Sequence, residues 1–102
     1  MTNDIKQTIR QEIISHLENE PLTARDISQS VGIIEKVVYH HLSFIEKTVR
    51  NQNKRIHVEP YHCLVCGFQF KKRKTFKKPS KCPGCNDGRI APAVFWIESQ
   101  GD

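Results

Sequence analysis

Two short stretches decide the reading: Cys63-Leu64-Val65-Cys66-Gly67-Phe68 and Cys82-Pro83-Gly84-Cys85-Asn86-Asp87, which together give C-x2-C-x15-C-x2-C. Two close cysteine pairs at that separation suit one tetrahedral ion gripped from two loops, which is the spacing of a zinc site. Gly67 and Asn86 each follow the second sulfur of a pair, and both residue types enter the left-handed conformation easily. The chain can then curl so that backbone N–H groups face sulfur. Pro83 stiffens the second loop. The competing reading is a disulfide framework. Disulfides staple small secreted chains, however, and the opening M-T-N-D-I-K-Q-T-I-R carries no apolar signal run. A thioredoxin-like redox motif needs one C-x-x-C at a helix start inside a βαβ pattern, and no such pattern is present.

The chain has 102 residues, enough for one small domain or two very small ones. All four cysteines fall after residue 60. A unit of about 40 residues rarely buries enough apolar surface to fold alone. A structural zinc ion closes that gap, with apparent binding energies of roughly 10–16 kcal/mol. No apolar stretch approaches the roughly 18 residues of a membrane span. The expectation is a soluble, cytoplasmic protein with no membrane association.

Charge is unevenly placed. The net charge is +5, yet residues 1–60 hold eight Lys/Arg against eight Asp/Glu, and residues 61–102 hold eight against three. Seven of those eight bases lie between the cysteine pairs: Lys71, Lys72, Arg73, Lys74, Lys77, Lys78 and Lys81. Such a run concentrates phosphate affinity in one loop. A solvated loop that keeps the chain soluble is the plainer alternative. Phe76 sits within the run, where an aromatic ring either stacks on exposed bases or, as the reading favoured here, anchors the loop.

Before the cysteines, three helices are predicted. Ile5, Ile9, Ile13 and Leu17, with Ile14 beside them, form one apolar stripe; Asn3 or Asp4 caps it and Pro21 stops it. A second helix opens at Leu22-Thr23-Ala24-Arg25-Asp26-Ile27, with Thr23 as N-cap, Asp26 as its capping-box partner and Leu22 and Ile27 as a staple. It ends near Val31, and Gly32 turns the chain. The third helix spans about Ile34 to Thr48, with Ile34, Val38, His41, Leu42, Ile45 and Val49 on one side. His41 reads as a packed core residue with one hydrogen bond.

A short helix, a turn containing Gly and an amphipathic helix make a helix-turn-helix. The stretch T-A-R-D-I-S-Q-S-V-G-I-I-E-K-V-V-Y-H-H-L-S-F-I-E-K resembles that motif in ArsR-type winged-helix regulators, with Val38-Tyr39-His40-His41-Leu42 in place of their V-x-x-H-L element. The second half, R-I-H-V-E-P-Y-H-C-L-V-C-G-F-Q-F-K-K-R-K with K-K-P-S-K-C-P-G-C and a terminal F-W-I-E, is similar to small archaeal predicted transcriptional regulators. Those proteins fuse a winged helix-turn-helix to a rubredoxin-like zinc ribbon. The resemblance implies DNA binding and transcriptional control. The paired loops also resemble the rubredoxin knuckles that hold iron, so one structural zinc is expected and iron is the alternative.

The expected fold is α+β: a three-helix winged helix-turn-helix domain over 1–60 and a four-cysteine zinc ribbon over 61–102 that occupies the wing position. After the polar stretch 50–55, Ile56 and Val58 alternate with Arg55 and His57 as one short strand, and Pro60 limits it. No room remains for a second wing strand before Cys63. Val94-Phe95-Trp96-Ile97 is predicted to return beside Ile56–Val58. Phe68 and Phe70 lie on one strand face beside the basic loop.

On the third helix, Lys36, Tyr39, His40 and Ser43 are candidates to contact double-stranded DNA, while Lys71, Lys72, Arg73, Lys74, Lys77 and Lys78 are candidates for phosphate. Glu35 and Glu46 offset Lys36 and Lys47 on that face, so a protein-contact role in transcription stands as a second reading, and an iron electron carrier as a third. Enzymatic action is not expected. Four thiolates leave zinc no open position, and the chain shows no nucleophile–base constellation, Gly-rich phosphate loop or small-molecule site. Monomer and homodimer remain equally open.

Overall fold

The structure, a computed structural model, describes residues 2–71 and 76–100. Lys72, Arg73 and Lys74 lie outside the described residues, as do the side chains of Asn3, Asp4 and Ile5. Helix α1 runs over Thr2–Asn19 and buries Ile13 and Leu17 fully, with Ile9 and Ile14 half-buried beside them. It already includes Asn3 and Asp4, so neither is its cap: a cap residue has extended backbone, and these are helical. The Glu20 N–H closes the last turn on the His16 carbonyl at 3.0 Å, and Pro21 ends the helix because it has no N–H to continue it.

Strand β1, Leu22–Thr23, comes next and was not foreseen. Helix α2, Ala24–Val31, starts at the predicted capping box: Thr23 Oγ1 accepts from the Asp26 N–H at 3.1 Å, and Asp26 Oδ2 accepts from the Thr23 N–H at 3.1 Å. Gly32 ends it at φ 72°, a left-handed turn that a Cβ would strain. Helix α3 covers Glu35–Arg50 and buries Val38, His41, Leu42, Ile45 and Val49. Ile34 departs from expectation. It is the N-cap, in extended conformation, and stands 65% exposed instead of lying on the apolar side.

Strands β2 (Lys54–Glu59) and β5 (Val94–Ser99) pair antiparallel along their full length, with Ile56 opposite Ile97 and Val58 opposite Phe95. Strand β1 adds to the other side of β5 through Leu22 and Thr23, giving the order β1-β5-β2. Ile56, Phe95 and Ile97 turn inward onto the helices. On the outer face, the His57 and Trp96 rings stack at 5.7 Å. Three helices with a small strand between the first two and a β-hairpin after the third make a winged helix.

The wing is therefore complete, but its second strand arrives only after the cysteines. Residues 60–71 and 76–93 belong to the hairpin's tip, and within them β3 (His62–Cys63) pairs with β4 (Ile90–Ala91). This ribbon packs onto the helical half through one continuous core that includes Tyr61, Ile90, Ala93 and Phe95. Phe76 lies edge-on to Phe95 at 5.7 Å, and its carbonyl accepts from the Tyr61 hydroxyl at 2.6 Å. Phe76 anchors the basic loop. Burial of a ring such as Phe95 contributes about 1.5–3 kcal/mol, so these contacts bind ribbon and helices firmly. No helix among the described residues is long and apolar enough to cross a membrane.

Candidate metal centre and nucleic-acid interface

The two cysteine loops meet. The sulfurs of Cys63, Cys66, Cys82 and Cys85 all lie within 4.8 Å of one another, with Cys63 and Cys85 at 3.5 Å and Cys66 and Cys82 at 3.5 Å. A tetrahedron with Zn–S bonds of about 2.3 Å has S···S edges of about 3.8 Å, whereas a disulfide bond is about 2.05 Å. The spacing is that of four ligands around one ion and not that of disulfides; all four cysteines are free.

Local geometry supports the same reading. Gly67 at φ 80° and Asn86 at φ 62° adopt the predicted left-handed turns. Cys63 Sγ accepts from the N–H groups of Val65 at 3.3 Å and Cys66 at 3.4 Å, and Cys82 Sγ accepts from the Gly84 N–H at 3.3 Å. Backbone N–H groups aimed at sulfur favour thiolate over thiol. Cys63 and Cys82 are buried, while Cys66 and Cys85 are exposed. The donor chemistry fits a soft, tetrahedral cation, which would crosslink the two loops and hold 60–93 in one shape. His62 is exposed and outside the sulfur cluster.

The thiols do not ionise alike. The Cys66 N–H, with that of Val65, draws Cys63 down to about 7 against the cost of burial. At Cys85 the strongest single influence, the Asp87 N–H, lowers the value, but contact with Cys63, burial and the other two sulfurs together push it up to about 12. Cys66 is raised too, since its Phe68 N–H is outweighed by Cys82, burial and Cys63. Adjacent thiolates repel, and a cation relieves that repulsion.

Sequence reasoning passed over Arg89. Its guanidinium grips Asp87 through two contacts of 3.1 Å and feels the field of Cys63 and Cys85, so it offsets negative charge at the centre. Its pKa is raised, chiefly by that Asp87 bond. The only signal was a lone base four residues beyond Cys85.

The candidate nucleic-acid residues divide. Lys36 and His40 project from α3 into solvent, with His40 resting edge-on against Phe44 at 5.0 Å. Ser43 is exposed, but its hydroxyl donates to the Tyr39 carbonyl at 3.3 Å. Tyr39 does not stand open. It is half-buried, its hydroxyl donates to Glu35 at 3.2 Å, and it touches Tyr61 of the ribbon. Burial, aided by the Glu35 carboxylate, raises its pKa. Tyr39 joins helix to ribbon, because the wing tip folds back over this end of α3. Lys71, Lys77 and Lys78 are all exposed on the ribbon and, with Lys81, line one groove beside Phe68 and Phe70. Phe68 and Phe70 flank Gln69, which bridges to His62, and their rings meet edge-on at 5.1 Å.

No curated protein matches the chain. A solution NMR structure of protein PF0610 from Pyrococcus furiosus is similar, with a TM-score of 0.75 and 26% identity over 90% of this chain and 90% of that one. The likeness thus spans both the helices and the ribbon. Residues 8–57, which reach from α1 through β2, match the family described as PF0610-like, N-terminal.

Proposed function

We propose that this protein is a DNA-binding transcriptional regulator of the PF0610-like kind, with one structural zinc ion held by Cys63, Cys66, Cys82 and Cys85. The observation that carries the reading is the position of the ribbon. It forms the tip of the wing, next to the third helix, and sets Lys71, Lys77, Lys78 and Lys81 on one side of the metal centre. Winged-helix proteins use the third helix and the wing together on duplex DNA. Here Lys36 and His40 offer limited contact to base edges, and the ribbon lysines supply phosphate affinity. The four-thiolate centre shapes this surface and takes no part in a reaction, because it leaves no open coordination position.

The test is binding to a random pool of duplex DNA at two salt concentrations, with Lys71, Lys78 and Lys81 changed to Gln in a comparison protein. Affinity should fall and the dependence on salt should flatten by about one counterion per lost phosphate contact. An unchanged affinity and slope would refute the role of the ribbon. Enrichment of a defined sequence supports regulation at specific sites, and weak binding without enrichment argues against it.

One feature favours a protein partner in transcription as the second reading. Leu64 and Val65, at the tip of the first cysteine loop, stand 64% and 51% exposed. Two neighbouring aliphatic side chains in water are a contact surface in waiting. Substituting both by Ser should leave DNA binding intact and abolish capture of a protein of the transcription machinery if this reading holds.

A further inference from the structure

The lysines that line the ribbon groove share it with two aromatic rings, and phosphate binding alone gives no reason for them. The groove has a volume of about 780 Å³, within the range of about 300–1,000 Å³ that suits small organic groups. Phe68 and Phe70 line it together with Lys71, Lys77, Lys78 and Lys81. Phe68 is 41% exposed. Its ring is braced at 5.1 Å by the edge of Phe70, which holds its orientation. Duplex DNA presents phosphates to such a surface but keeps its base faces stacked inside. An unpaired nucleotide presents both a phosphate and a free base face.

We infer that this groove binds unpaired nucleotides, with a base stacked on Phe68 and the neighbouring phosphates held by Lys71, Lys78 and Lys81. The inference rests on the reading that the ribbon faces nucleic acid, and it adds that the ribbon recognises single-stranded rather than only duplex structure. The physical basis is general. Base–aromatic stacking tolerates any sequence, because every base has a π face, and a basic rim tracks the backbone between stacked bases. No carboxylate of the described residues lines the groove; Glu46 and Glu59 line the neighbouring hollow beyond Gln69 and Phe70.

The metal-loaded full chain is titrated against labelled oligonucleotides of about 12 residues: single-stranded deoxythymidine, single-stranded uridine and a mixed-sequence duplex. Phe68→Ala should weaken single-strand binding about tenfold and leave duplex binding unchanged, and Phe68→Trp should restore it. A preference for either single strand over the duplex supports the groove. Single-strand affinity unmoved by Phe68→Ala, or single-strand and duplex affinity lost in parallel, overturns the inference. The unaltered protein gives a check independent of folding. It should quench 2-aminopurine placed within the single strand, and an unquenched bound strand refutes stacking. Duplex binding without single-strand binding defeats the groove alone, whereas binding of neither defeats the proposed function as well.

Discussion

The Nε of Arg10 on α1 donates to Nδ1 of His41 on α3 at 3.1 Å, and the same guanidinium lies 4.3 Å from the centre of the Phe44 ring. One side chain thus joins the first helix to the third, over a buried imidazole. With Nδ1 accepting this bond, Nε2 is the ring nitrogen left to donate.

Arg10→Met keeps the aliphatic stem but removes the donor and the cation. The expected loss is about 1–2 kcal/mol, the sum of one hydrogen bond and one exposed cation–π contact. Urea denaturation checks it, and a loss below about 0.3 kcal/mol would show that the pair contributes nothing measurable.

Metal removal should loosen the ribbon and spare the winged helix. Residues 60–93 are a closed loop between β2 and β5, whose pairing places Phe95 and Ile97 in the helical core. Without the ion the two cysteine loops lose their crosslink and open more often, while the cost of closing the longer loop rises only with the logarithm of its length. After chelation, hydrogen-exchange protection should fall at Cys63 and Leu64, whose N–H groups bond across the ribbon, and persist at His57 and Trp96, which face each other in the β2–β5 ladder. Global unfolding would contradict this division.

Protons compete with the ion, and the unequal thiols set how many are displaced. At about pH 8, Cys63, drawn down to about 7, is already thiolate, whereas Cys66 and Cys85 have raised values and remain protonated. Metal capture therefore expels protons from those two groups at least. Below about pH 7 Cys63 is protonated too, so the count rises and affinity falls more steeply. In the metal-free fold the sign at Cys63 is that of a depressed acid. Its contribution is present above the ordinary thiol value of 9.0 and lost as pH drops through about 7. Titration calorimetry in buffers of different ionisation heat counts the protons. A constant count from about pH 8 to about pH 6 would contradict the assignment.

Tyr39→Phe separates a structural from a reading role. Removing a hydroxyl bonded to Glu35 on an exposed rim should cost about 0.5–1 kcal/mol and leave DNA preference unchanged. A changed preferred sequence in a selection experiment would show that Tyr39 is a base contact.

Features that depend on neighbours along the chain were legible without coordinates. The cysteine spacing, the left-handed turns at Gly67 and Asn86, the Thr23–Asp26 box and the stripe through Val38, Leu42 and Ile45 each lie within a few residues. There, helix period and loop geometry leave little choice. Even the return of Val94–Ile97 beside Ile56–Val58 could be read, because an apolar strand with one partner in sight must pair or stand exposed.

What tertiary structure alone decided lies between residues far apart in sequence. The two-residue strand at Leu22 carries too little pattern to announce its pairing with Phe95. Nothing near Arg10 pointed to His41, and nothing near Tyr39 showed that Tyr61 would fold back against it. Ile34 looked like core by periodicity, yet it caps α3 in the open, because a stripe ends where the helix begins and only packing says where that is. Local sequence determined which elements form and where four sulfurs can converge. The joining of helix to ribbon, and with it which lysines and which ring share a groove, was settled by long-range burial that no short window of residues encodes.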